Sequence, residues 1–271
     1  MTRTLIASDL DRTLIYSATA LALPMPDEQA PRLLCVEVHQ GRPLSYVTER
    51  AADLLTRLTA SAAFVPVTTR TREQYRRVRL PGPPPAYAVC ANGGHLLVHG
   101  RTDHAWHDQV RARLSASCAP LAEILDRVVR DAAAPWLHTV RVAEDLFVYA
   151  VVDRAALPDG WLAELTDWAA PLGWTVSAQG RKVYAVPAPL TKSAGLAEVV
   201  RRTGADRVLA AGDSLLDADL LLAADKAWRP GHGELAATGW TAAHVTALDT
   251  VGVLAGEGIL RRMAAWVEEV G

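Results

Sequence analysis

The hydrophobic rhythm of the chain changes partway along and then changes back, and few folds allow that. Up to about residue 101, and again from 187, short apolar runs alternate with longer amphipathic stretches. This is the pattern of a parallel sheet wrapped by helices. Thr4–Ser8, Ala63–Val67, "YAVC" at 87–90, "RVLAA" at 207–211 and "AHVTAL" at 243–248 read as strands, and 250–270 reads as a closing helix. Val36–Val38 and Leu44–Val47, on either side of Gln40-Gly41-Arg42-Pro43, predict a hairpin flap. Thr48 then caps a helix carrying apolar residues at Ala51, Leu54, Leu55 and Leu58. Between 102 and 186 the rhythm differs. A long helical stretch over 108–131 precedes two period-2 runs, "WLHTVRV" and "LFVYAVVD", that turn at Glu144-Asp145. A helix over 158–170 then leads into "WTVSAQG" and "KVYAVPA". That order, αββαββ, is a two-layer antiparallel unit. The chain therefore reads as an α/β core of residues 1–101 and 187–271 with a second, α+β domain, 102–186, inserted.

Composition restricts the partners. With 271 residues, half of them hydrophobic and 21% charged, the chain can bury a substantial core. A formal charge of −2 lacks the basic excess that a nucleic acid or an anionic membrane surface requires, so neither is expected as a partner. Small neutral or anionic metabolites remain. Three well-separated cysteines, Cys35, Cys90 and Cys118, fit a reducing compartment better than a disulfide framework. No apolar run approaches a membrane span, and Asp9 and Asp11 interrupt the N-terminus before a signal sequence can form, so a cytoplasmic location is expected.

The polar residues that follow the apolar runs carry the chemistry. In open α/β sheets, ligands bind beyond the carboxyl ends of the strands. Asp9 and Asp11 stand at the first such end, Thr68, Thr69 and Arg70 at another, and Asp213, Ser214 and Asp217 at a third, while Lys192 begins a helix. Paired carboxylates at two sites, a hydroxyl and an ammonium suit metal-assisted phosphoryl transfer to a carboxylate. The like charges of Asp9 and Asp11 repel unless a hard cation joins them, and Mg²⁺ characteristically takes one or two carboxylates. Lys192 is one of only three lysines, with Lys182 and Lys226, among 28 basic residues. A compact point charge at that place is therefore a specific choice over the arginine used nearly everywhere else.

In this order, the motifs resemble those of the haloacid dehalogenase superfamily of phosphatases. "DLDRT" is similar to its first motif, Thr68 in "VTTR" to its second, Lys192 in "TKSAGL" to its third and "GDSLLD" to its fourth. The insert between the second and third motifs resembles the larger cap class. That class includes sucrose-phosphate phosphatase, mannosylphosphoglycerate phosphatase and phosphomannomutase, and "YAVCANGG" resembles a strand ending in Asn-Gly found in the same branch. The resemblance implies a Rossmann-like core whose parallel sheet is flanked by helices, with an α+β cap. It implies Asp9 as nucleophile, Asp11 as general acid and base, and Thr68 and Lys192 as holders of the transferred phosphoryl group. Mg²⁺ would be bound by Asp9, Asp11 through its backbone carbonyl, and Asp213, with Asp217 as ligand or support. The implied activity is Mg²⁺-dependent hydrolysis of a small phosphorylated metabolite, most plausibly a sugar or polyol phosphate. The alternatives are a phosphomutase using the same aspartyl-phosphate, or a catalytically silent binding module.

Three positions depart from the family pattern. Arg12 and Thr69 stand where glycines are usual, and Leu216 where an Asn is. Arg12 fits if its backbone keeps a negative φ, whereas Leu216 removes a polar support for the metal. For the substrate, Thr69, Arg70 and Asn92 from the core and Arg181 and Lys182 from the insert are candidate contacts. Five of the eight tryptophans lie in the insert and are expected to fill its core. His99, His104 and His107 are read as polar surface, not a zinc site. The 35–47 flap is a candidate gate for the crevice or a homodimer contact.

Overall fold

The computed structural model describes residues 3–131 and 133–270, which divide into two compact units: residues 3–102 with 192–270, and the described residues between 103 and 191. The first unit begins with β1 (Thr4–Ser8), an apolar strand buried on both faces. A hairpin follows, made of β2 (Leu33–His39) and β3 (Arg42–Thr48). Its turn places Gln40 and Gly41 both at positive φ, the backbone twist that closes a two-residue hairpin. Thr48 caps α1 (Glu49–Ser61), its side chain accepting from the Ala51 N–H, and Leu54, Leu55 and Leu58 face the core. Burying each leucine stabilises the fold by about 1.5–3 kcal/mol. Next come β4 (Ala63–Pro66), the single-turn helix α2 (Arg72–Arg76), β5 (Tyr87–Cys90), β6 (His95–Val98) and β7 (Arg101–Thr102).

The second unit opens with α3 (His104–Ser117) and α4 (Leu121–Val129), then β8 (Leu137–Ala143), β9 (Phe147–Val152), α5 (Trp161–Ala169), β10 (Trp174–Gln179) and β11 (Lys182–Pro187). Its strands form one antiparallel sheet in the order β10-β11-β9-β8. The single long helix expected over 108–131 is two helices, because Pro120 holds the preceding residues out of helical conformation. The unit runs from Asp103 to Thr191, and β11 stays paired with β10 as far as Pro187. Four of its five tryptophans, Trp106, Trp136, Trp161 and Trp174, are buried, and Trp136 and Trp161 meet edge to face at 4.9 Å.

The chain then completes the first unit with α6 (Lys192–Thr203), β12 (Arg207–Ala211), α7 (Ala218–Leu222), β13 (Lys226–Arg229), α8 (Glu234–Ala237), β14 (Val245–Ala247) and α9 (Val253–Val270). Its main sheet is parallel, in the order β14-β13-β12-β1-β4, so β1 lies between β12 and β4. β5 touches this sheet through a parallel bridge between Val67 and Val89, and pairs antiparallel with β6. Ile6, Phe64 and Leu209 of the sheet share one apolar cluster with Leu54 and Leu58 of α1 and Ile259 and Met263 of α9. Among the described residues, no helix is long and apolar enough to cross a membrane.

The 35–47 flap is docked on its own unit. Tyr46 exchanges backbone hydrogen bonds with Tyr16 (2.9 and 2.8 Å), and the Arg79 N–H donates to the Val36 carbonyl at 2.7 Å. The β2–β3 register slips on both sides of Glu37, a bulge. Val36 and Glu37, which are consecutive, are consequently both buried, whereas Val38 is 54% exposed.

Candidate active site

Neighbouring strands of one parallel sheet bring the motif residues to a common edge. Asp9 follows β1, Thr68 follows β4 and Asp213 follows β12, all at carboxyl ends. Asp9 is fixed by its own N–H, which donates to Ala211 O at 2.9 Å, and by Thr13 Oγ1, which donates to its Oδ2 at 3.2 Å. Lys192 is the first residue of α6. A Cβ on Gly195 would stand 2.5 Å from Val89 Cγ1, so only glycine lets α6 lie this close to β5.

Lys192 is 1% exposed, and its Nζ donates to Asp9 Oδ1 at 2.6 Å and to Asp217 Oδ1 at 2.5 Å. The second oxygen of Asp217 accepts from the Asp213 N–H (3.1 Å), the Ser214 N–H (2.9 Å) and Ser214 Oγ (2.7 Å). This closeness needs Gly212, whose Cβ would stand 2.3 Å from Asp217 Cβ. Asp9, Asp213 and Asp217 each offer a carboxylate oxygen, and these oxygens lie within 4.8 Å of one another. Asp217 belongs to the trio by distance, and its oxygens also hold Lys192 and the 213–214 loop. The Asp11 carboxylate is not in the trio.

The cluster holds more negative than positive charge. Burial pushes the Asp9 carboxyl up to about 7. The Lys192 ammonium opposes that rise, and Asp217 and Asp11 add to it. Asp213 is raised well above the usual carboxylate range, first by burial and then by Asp217 and Asp9, against Arg12 and Lys192. Burial alone would lower Lys192, yet Asp217 and Asp9 outweigh it, and its ammonium is held above the ordinary lysine value. Three buried hard oxygens with surplus anionic charge are a donor set for a small divalent cation.

Arg12 does not keep the negative φ that a side chain there prefers; its φ is +64°. For a non-glycine residue that conformation costs about 1–2 kcal/mol. Its surroundings hold it there. The Arg12 N–H donates to Ile15 O at 2.8 Å and its carbonyl is 2.8 Å from His232 Nε2. The Gly252 N–H donates to His232 Nδ1 at 3.1 Å, which leaves Nε2 as the protonated nitrogen that donates to Arg12. Burial first, and the nearby Arg12 charge, keep His232 below the usual imidazole value despite its hydrogen bond to the Arg12 carbonyl. The outer side chain of Arg12 brings Nε within 3.4 Å of Asp213 Oδ2. His232 is invisible as a site residue in the sequence, where only its flanking Gly231 and Gly233 mark a tight loop. Leu216 is buried and apolar.

Asp11 faces a different neighbour. Both its oxygens accept from Arg70, Oδ2 from Nε at 2.6 Å and Oδ1 from Nη2 at 2.8 Å. Arg70 Nη2 also pairs with Glu37 Oε2 at 2.9 Å, and Nη1 donates to Gln74 O at 3.4 Å. Every nitrogen of Arg70 is thus engaged, and the side chain holds Asp11. Glu37 is the residue that sequence reasoning missed. Thr68 and Thr69 are buried beside this group, and Thr68 Oγ1 accepts from the Arg70 N–H at 3.2 Å. Asn92, at φ +55°, is buried and its N–H donates to Thr68 O at 3.0 Å. Arg181 and Lys182 belong to the second unit, at the β10–β11 turn. Arg181 is exposed, and Lys182 Nζ lies 5.3 Å from the centre of the Tyr149 ring. Among the described residues, His99, His104 and His107 form no cluster able to hold a metal.

No protein-family model and no curated protein sequence matches the chain. Solved structures do. The sucrose-phosphatase of Synechocystis sp. PCC6803, solved with sucrose and phosphate, superposes with a TM-score of 0.68 at 16% identity, over 99% of both chains. A HAD subclass IIB sugar phosphatase gives 0.58 at 14% identity over 98% of this chain and 99% of its own. A haloacid dehalogenase-like hydrolase from B. subtilis gives 0.55 at 15% identity over 98% and 99%. The chain has the fold of the haloacid dehalogenase superfamily phosphatases, as its motifs led us to expect.

Proposed function

Starting from that fold, we propose that the protein is a Mg²⁺-dependent phosphomonoesterase acting through an aspartyl-phosphate on a small phosphorylated metabolite of the sugar or polyol phosphate class. One observation carries the reading: Asp9, at the carboxyl end of the interior strand β1, shares a buried ammonium with Asp217 inside a carboxylate trio. The substrate class is supported by the neighbours, since two of the three described above are a sucrose-phosphatase and a sugar phosphatase.

Asp9 and Asp213 would hold the metal, together with the Asp11 backbone carbonyl. Their hard oxygens fit Mg²⁺, and Asp217 supports them through Lys192 and Ser214. Bound there, Mg²⁺ supplies positive charge to the phosphate oxygens. Lys192 adds a second positive charge and keeps the Asp9 carboxylate turned toward the phosphorus, while the Thr68 hydroxyl is available to donate to a phosphate oxygen. An Asp9 oxygen forms a bond to phosphorus as the bond to the leaving oxygen breaks, and Asp11 gives that oxygen a proton. Water then loses a proton to Asp11 and attacks phosphorus, which breaks the acyl-phosphate bond and returns the Asp9 carboxylate with free phosphate.

The test is phosphate release from a panel of sugar, polyol and aryl phosphates, with and without Mg²⁺ and without any bisphosphate activator. The expected result is Mg²⁺-dependent release from at least one sugar or polyol phosphate. Release that appears only with a bisphosphate present would point to a mutase, and none from any monoester would defeat the proposal.

A further inference from the structure

The bulge in β2 buries a carboxylate that the reaction above does not use. Glu37 is 2% exposed, on a hairpin whose neighbouring positions are apolar. A lone buried carboxylate costs several kcal/mol unless it is well bonded. Three donors reach it: Ser45 Oγ at 2.7 Å and Arg70 Nη2 at 2.9 Å on Oε2, and Arg77 Nε at 3.3 Å on Oε1; a longer contact, Arg70 Nη2 to Ser45 Oγ at 3.5 Å, ties the set together. Arg77 alone would already balance its charge. Arg70 goes further and turns its fork outward to Asp11.

Arg70 is clamped on two sides. Gln74 O holds one amino group, and Gln74 is itself fixed as part of the capping box of α2. Glu37 holds the other amino group from the hairpin. Sharing that second amino group, Nη2, with Glu37, the Nε–Nη2 edge grips both oxygens of Asp11, whose side chain is 45% exposed while that of Arg70 is 11% exposed. The buried end of this chain of contacts is therefore rigid, and the end that solvent and ligands reach is the carboxylate. A bidentate guanidinium fixes a carboxylate in plane and in direction, which a point charge cannot do.

Resting on the phosphatase reading, we propose that Glu37 and Arg70 are positioning residues. Through them the β2–β3 hairpin sets the direction in which Asp11 presents its carboxyl group to the leaving oxygen. Neither touches the reacting atoms. Their contribution is the orientation of a proton donor, so it should matter most for leaving groups that cannot depart without a proton.

The experiment compares kcat/KM for p-nitrophenyl phosphate and phenyl phosphate in the full-length Mg²⁺-loaded protein, as wild type, Glu37→Gln and Arg70→Lys. The nitrophenolate departs readily without help, whereas phenolate is far more basic and needs the proton. Because kcat/KM reads the steps through phosphoryl transfer to the enzyme, it isolates this part of the reaction. Both variants should lose roughly tenfold on phenyl phosphate, a fraction of what general acid catalysis supplies, and less than threefold on p-nitrophenyl phosphate. Arg70→Lys, which keeps the charge and loses the fork, guards against a Glu37→Gln protein that fails to fold. Equal losses on the two substrates, or none, in folded variants would overturn the relay while leaving the phosphatase reading intact. A wild type that releases phosphate from neither aryl ester nor any sugar or polyol phosphate would remove the phosphatase reading, and the relay with it.

Discussion

Asp9 and Asp11 are two residues apart and sit in opposite electrostatic surroundings. On the Asp9 side, two of three clustered buried carboxylates share one buried ammonium, the third meets the partly exposed Arg12, and Asp9 and Asp213 are pushed up. On the Asp11 side, two carboxylates, Asp11 and Glu37, meet two guanidiniums, Arg70 and Arg77. An unbalanced cluster is unfinished: it favours a further cation. A balanced one is complete, and what it secures is geometry. One strand end thus serves two purposes, a place for charge to arrive and a place where direction is set.

The contrast is most easily broken at Asp9. Asp9→Asn removes the nucleophile at nearly constant volume, so phosphate release should fall on the order of 10³-fold or more with the circular dichroism spectrum unchanged. Retention of more than a few per cent of the rate would remove Asp9 from the chemistry.

Lys192→Met comes next. It leaves Asp9 and Asp217 buried with no ammonium, and breaking such a pair costs about 3–5 kcal/mol. Urea unfolding of the metal-free protein reads this directly. A loss below about 1 kcal/mol would mean that the cluster is not held by Lys192.

On the balanced side, Glu37→Gln should cost about 1–3 kcal/mol near neutral pH, and the cost should depend on pH. Burial works to raise the Glu37 carboxyl, but the Arg70 and Ser45 hydrogen bonds outweigh it and hold it below its ordinary 4.5. A depressed carboxylate stabilises the fold above its unfolded value, and that contribution disappears as pH falls through the folded one. Wild type and variant should therefore differ at pH 7 and converge as pH drops below about 4.5. Parallel stability curves at all pH values would show that the charge of Glu37 is not what Arg70 responds to.

The smallest effect is expected at Arg12. Arg12→Gly relieves the left-handed backbone, a gain of about 1 kcal/mol, and withdraws the guanidinium 3.4 Å from Asp213. Calorimetric titration should then show Mg²⁺ binding several-fold more tightly. Unchanged binding would assign Arg12 to the surface and sharpen the view that Lys192 alone opposes the acid cluster.

How much of this was legible followed from how local each signal is. Asp9, Thr68 and Asp213 each end an apolar run that the sequence displays directly, and the parallel sheet brings those ends together. Lys192 was legible because lysine is scarce in this chain. Glu37 was not, because period-2 reading of Val36-Glu37-Val38 buries the two valines and exposes the acid. The bulge reverses that for Glu37 and Val38, and a bulge leaves no mark in composition. The same blindness hid the partner of Arg70: an arginine at a strand end looks free when the buried carboxylate it meets cannot be seen. Within the fold, β13 escaped notice because Lys226–Arg229 is short and half charged, and the α3–α4 break was written in Pro120 but overridden by the helical pattern on both sides.

His232 carries a consequence for how the molecule is made. It joins the Arg12 carbonyl to the Gly252 N–H, so the loop beside the nucleophile is tied to a segment synthesised some 240 residues later. β1 likewise waits for β12 before both of its edges are paired. On the ribosome one edge of β1 must remain unpaired until some 200 further residues, as far as β12, have emerged, which predicts slow assembly through long-range contacts and a nascent chain that depends on protection from aggregation.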